Sequence, residues 1–205
     1  MSQFDNIFTN REMMTLSSIV QVGEAARRDL METEHFLDHP FCIGEKGRLR
    51  TKLVQIQSEL ESHDPKFPFQ FGRLEFPYGQ VIPELRNGKA IIHIARTKSP
   101  ETLPPSAQYK RILSANNHPL YRQLMIAPDK EPPYVDAPFY AILAFGGHET
   151  FAVIQFPEPG YTGIIECLYL SQISLVEASE DTRTFERKKA VLKKEFLSRE
   201  EEHIS

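Results

Sequence analysis

The sequence predicts an α+β fold: a mainly antiparallel sheet of about five or six strands, packed by two N-terminal helices and followed by a charged C-terminal helix. Apolar residues recur at helical spacing in two stretches before residue 63. Between residues 67 and 171 the chain consists of short β-branched and aromatic runs punctuated by Gly, Pro and Asn. Residues 179–201 are dense in charge and carry a narrow apolar stripe. With 205 residues, 40% apolar side chains and 14 Phe, the chain can bury a substantial core without staples. It is read as one α+β domain, with a helical part over 1–63, a sheet core over 64–176 and a C-terminal helix over 177–205.

The first helix is expected over 11–37. Thr9 and Glu12 form a Ser/Thr-x-x-Glu capping pattern, and Ile19, Val22, Ala26, Leu30 and Leu37 fall on one face. Gly23 weakens this helix without overturning it. A second helix is expected over 45–62, from the spacing of Leu49, Leu53, Ile56 and Leu60, with Pro65 beyond its end.

The clearest β signal is a hairpin, 81–86 joined to 89–96 through Asn87-Gly88. Asn-Gly readily takes positive φ at both central positions of a two-residue turn. Pro83 predicts that the first arm is an edge strand, since proline donates no ladder bond. Pro104, Pro105 and Ser106 are expected in the opening turn of a short helix that runs to about Asn116. A second hairpin is predicted from 139–145 to 151–156 through Gly146-Gly147-His148-Glu149-Thr150, followed by a strand over 163–171. That last strand is apolar on both faces and is therefore expected at the sheet centre. The 179–201 helix, with Phe185, Leu192 and Phe196 on one stripe, is expected to lie on the surface with a fraying end.

Net charge is −4, which demands no polyanionic partner, but its distribution is uneven. Between Arg86 and Met125 stand Arg86, Lys89, Arg96, Lys98, Lys110, Arg111 and Arg122 against Glu101 alone, and from residue 127 to 181 the sign reverses. Cys42 and Cys167 lie far apart with no C-x-x-C spacing, so neither a disulfide nor a reactive thiol is expected. The first residues show no basic stretch followed by an apolar one, and no apolar run reaches about 18 residues. The expected compartment is the cytoplasm, without membrane contact.

No phosphate-binding glycine loop, dinucleotide fingerprint, H-E-x-x-H or G-x-S-x-G occurs, so no cofactor and no metal are expected. Two candidate sites remain. Arg96, Lys110, Arg111, Asn117, Tyr121 and Arg122 could bind a ligand, by charge at phosphate and by stacking on a ring. If about three or four of these cations met phosphates, affinity would fall with log[salt] at a slope of roughly −3. The plainer interpretation is a neutralised surface, with Asn116 and Asn117 ending the helix. His93, His118 and His148 are candidate catalytic residues of a hydrolase or nuclease if they converge. Glu166, inside a predicted strand, must either pair or face outward.

The segments Tyr-Lys-Arg-Ile-Leu-Ser-Ala-Asn-Asn (109–117) and Tyr-Ala-Ile-Leu-Ala-Phe-Gly-Gly (140–147) resemble small uncharacterised proteins of Gram-positive bacteria and their phages. In those, a Tyr-bearing short helix ends in paired Asn and a strand ending in Gly-Gly follows. The resemblance implies a mobile-element or accessory protein and no particular activity. Function is therefore open. The leading expectation is a non-enzymatic interaction protein with a protein partner or a second copy of itself. A nucleic-acid or nucleotide binder using 86–122, and a histidine-based hydrolase, are the alternatives.

Overall fold

In the computed structural model, residues 6–34, 39–42, 44–118, 137–147, 150–170 and 181–204 are described. The fold is α+β, with a mostly antiparallel six-stranded sheet, N-terminal helices and a C-terminal helix. The chain divides into two compact units, residues 1–16 with 68–172, and residues 17–67 with 173–205.

The sheet belongs to the first unit. Its strands β1 (Gln70–Glu75), β2 (Val81–Arg86), β3 (Ala90–Thr97), β4 (Phe139–Gly146), β5 (Phe151–Pro157) and β6 (Ile164–Tyr169) lie side by side in chain order. Every neighbouring pair is antiparallel except β3 and β4, which run parallel. A parallel pair needs a crossover, and this one contains the short helix that we label α3 (Gln108–Ser114), extended by a 3₁₀ turn (Ala115–Asn117). All eight residues of β4 are buried, as the middle of a sheet covered on both faces requires. At its end Gly146 takes a φ of 147°, and a Cβ there would overlap the Thr97 carbonyl oxygen of β3.

The second unit is helical. It takes most of α1 (Asn10–Thr33), all of α2 (Glu45–Glu61) and all of α4 (Asp181–Ile204). Val22, Ala26 and Leu30 of α1, Leu49 and Leu53 of α2, and Leu192 and Phe196 of α4 form its core. Each of these side chains larger than alanine, removed from water, stabilises by about 1.5–3 kcal/mol. The start of α1 is fixed by the expected reciprocal cap: Thr9 N–H donates to Glu12 Oε2 at 2.6 Å, and Glu12 N–H donates to Thr9 Oγ1 at 3.2 Å.

Several expectations need correction. β2 is not an edge strand: β1 flanks its full length, and pairing with β3 begins only at Glu84, so Pro83 interrupts no ladder on that side. The 163–171 segment is not central. As β6 it forms the sheet edge, and β4 takes the middle. Pro104 and Pro105 precede α3 rather than opening it, because its N-cap is Ala107. The C-terminal helix is no mere surface appendage, since Leu192 is fully buried in the helical core. The 87–88 connection is wider than a two-residue turn. Arg86 pairs with Ile91, only Gly88 has positive φ, and the Asn87 carboxamide oxygen accepts from the N–H groups of Lys89 and Ala90.

Candidate functional site

One row of residues crosses the whole sheet. Gly72, Glu84, His93, Ile142, Gln155 and Cys167 are successive partners from β1 to β6, so they share one face. The row is polar at both ends of Ile142, and the β3–β4 crossover covers it. Gln155 donates from Nε2 to the carbonyls of Pro100 and Thr102 at 2.6 and 3.0 Å, and the Cys167 thiol lies 3.4 Å from the same Pro100 oxygen. Burial raises the Cys167 pKa to about 11, which leaves it a thiol at neutral pH.

At the other end stands a buried relay. Glu84 accepts from Arg86 Nε at 2.7 Å through Oε1, and its Oε2 lies 3.1 Å from His93 Nε2. A carboxylate only accepts, so Nε2 carries the imidazole proton and Nδ1 is left as an acceptor. Tyr140 O–H, 3.3 Å away, donates to it. His93 is 2% exposed and Tyr140 is fully buried. Burial is the largest influence on the His93 pKa and lowers it below 6.5, against the opposing hydrogen bond and charge of Glu84. The neutral ring is therefore the form that the fold favours. Burial likewise raises the proton affinity of the Tyr140 and Tyr161 hydroxyls.

Helix α3 closes this end. Tyr109 sets its ring nearly perpendicular to that of His93, 5.4 Å between centroids, and against Phe76 at 5.0 Å. Lys110 points inward and donates to the Pro105 carbonyl at 2.7 Å, with the rings of Tyr109 and Tyr161 at 5.9 and 5.7 Å from its ammonium. Desolvation lowers the Lys110 pKa. Asn117 anchors the 3₁₀ turn: Nδ2 donates to the carbonyls of Tyr140 and Pro157, and Oδ1 accepts from the Tyr140 N–H, all within 2.9 Å.

The residues singled out from sequence are thus dispersed. Lys110 and Asn117 are buried and hold the crossover in place, whereas Arg96 and Arg111 are exposed. Tyr121 and Arg122 lie outside the described residues, as does His148. His93 is buried in the sheet and His118 is exposed just past the 3₁₀ turn. Among the described residues no group of His, Cys, Asp and Glu could hold a metal ion. Glu166 sits beside Phe156 in the neighbouring strand, off the polar row, and is half-buried. Sequence reasoning missed Glu84, Tyr140 and Gln155. The available signal was a carboxylate and an imidazole among apolar residues on the two arms of one predicted hairpin.

Comparison with known proteins finds no matching family model, no similar curated protein and no similar solved structure.

Proposed function

We propose that this is a non-enzymatic cytoplasmic interaction protein that adds an extended segment of a protein partner to its sheet along the outer edge of β6. The observation that carries the proposal is the contrast between the two sheet edges. β1 presents exposed Gln70, Arg73 and Glu75, the charged edge by which proteins discourage strand addition. β6 has no Pro, Gly, Lys or Arg from Ile164 to Tyr169, is half-buried over its first five residues, and ends in a 44% exposed Tyr169. Its outer side faces no described strand. An added strand pairs with such an edge through its outward backbone groups, which give affinity, while alternate side chains give specificity. The internal engagement of both His93 nitrogens and of Lys110 favours binding over catalysis or phosphate contact.

The test is crosslinking of the tagged full chain in its native cells, comparing wild type with Tyr169→Lys, which supplies the ammonium that blunts natural edges. The expected result is a partner captured by wild type and lost in the variant. When that partner is purified, the protection it adds against hydrogen exchange should fall on 164–169. Self-association abolished by Tyr169→Lys would identify a second copy as the strand donor. Equal capture by both proteins, or protection elsewhere, would overturn the proposal. Binding to a single-stranded oligonucleotide that weakens in Arg96→Ala and Arg111→Ala would favour the nucleic-acid alternative instead.

A further inference from the structure

We propose that His93 is a proton-operated latch for α3: the neutral ring holds the helix down on the sheet face, and protonation releases residues 105–114, with the Asn117 anchor as the hinge.

The geometry gives an imidazolium no adequate home. From β2, Glu84 offers one carboxylate, but its other oxygen is already engaged by Arg86. From α3, the Lys110 ammonium acts against a second positive charge. From β4, Tyr140 donates its proton to Nδ1. Once Nδ1 is itself an N–H, that hydroxyl must turn its proton into a fully buried interior. Tyr161, which flanks Lys110, already donates its own hydroxyl proton to the Pro104 carbonyl. Burial opposes the charge most of all. A fold that favours the neutral ring has the full benefit of it above 6.5 and loses it as pH falls through the depressed value, so the transition lies below 6.5.

What gives way is set by local stability. β2, β3 and β4 are each bonded to neighbours on both sides. Helix α3 has seven residues, fewer than the roughly 12–15 an isolated helix needs, and Arg111 and Ile112 face solvent. Lifting it admits water to His93 and carries the Lys110 charge away. Asn117 is fixed by three hydrogen bonds to buried backbone and stays.

Hydrogen exchange of the full chain, corrected for intrinsic rates and compared between about pH 7.5 and about pH 5, tests the latch. Residues 108–114 should lose protection by up to about tenfold per pH unit between 6.5 and the depressed value of His93 and level off below it, as linkage to one proton requires, while 90–97 and 139–146 keep theirs. His93→Gln, neutral at every pH, should hold α3 equally at both, and His118→Gln should behave as wild type. Strands that lose protection in step with α3, an α3 indifferent to pH, or pH-dependent opening that survives His93→Gln would overturn the proposal. Should His93→Gln fail to fold, NMR titration of the wild-type ring decides. Its midpoint must coincide with that of α3 opening, and Glu84→Gln must move both to lower pH together. Midpoints that differ would equally refute the latch.

Discussion

The sheet unit and the helical unit both bury charge, and they do so with different chemistry. In the helical unit Glu24 of α1, 2% exposed, is paired with Arg50 of α2 and lies 3.3 Å from Arg27. Helix α4 adds Lys188 to Glu61 at 2.6 Å and Lys189 to Asp29 at 3.1 Å. Guanidinium and ammonium groups paired with carboxylates keep their charge across neutral and mildly acidic pH. In the sheet unit the buried polar groups include an imidazole joined to one tyrosine hydroxyl and one carboxylate, so one proton can change the balance. The first arrangement fastens helices permanently, and the second fastens a helix conditionally.

Breaking the permanent fastening should cost most. Glu24→Ala removes the carboxylate that Arg50 and Arg27 share, and the loss should be about 3–5 kcal/mol by chemical denaturation. A loss below about 1 kcal/mol would place the strength of the helical unit in its apolar core instead.

In the sheet unit the largest single loss should come from Asn117→Ala, which strands the N–H and C=O of Tyr140 and the carbonyl of Pro157 in the interior. We expect about 3 kcal/mol, and exchange should rise over 108–117 before it rises in the strands. If the strands open first, the residue supports the sheet and not the crossover.

Gly23→Ala compares the two units by backbone approach. A Cβ at Gly23 would lie 2.7 Å from Val54 Cγ2 and 3.0 Å from its Cα, so α1 and α2 meet closely at a point where only glycine fits without adjustment. Overpacking should cost about 2 kcal/mol, measured by thermal or denaturant unfolding, even though alanine is the better helix former. Stabilisation would mean that the helices separate easily there.

This glycine also marks how far sequence carries. At 11–37 it reads only as a weakness in a helix, because propensity is local and the reason for glycine lies on another helix. The Thr9–Glu12 cap and the core positions of α1 and α2 were legible, since each depends on neighbours within a few residues. The Glu84–His93 pair was not. A two-residue Asn-Gly turn would set His93 opposite Ile82, whereas the wider connection sets it opposite Glu84, a shift of two residues that keeps the face and changes the partner. The parallel β3–β4 pairing and the edge position of β6 were equally hidden, because strand order depends on a crossover whose path no local pattern encodes. Asn117 looked like a ligand-binding group for the same reason: its partners are backbone groups of Tyr140 and Pro157 brought near by that crossover.

The smallest expected effect separates conditional from permanent fastening most sharply. Tyr140→Phe keeps the ring and deletes only the hydroxyl that donates to His93, so the loss at about pH 7.5 should be about 1 kcal/mol. That bond exists only while Nδ1 has a free lone pair. As pH falls through the lowered His93 pKa, wild type loses the bond as well, and the two denaturation curves should converge. A difference that stays constant from about pH 7.5 to about pH 5 would show that the hydroxyl contributes nothing specific to the neutral ring, and the sheet unit's polar row would then be as insensitive to protons as the ion pairs of the helices.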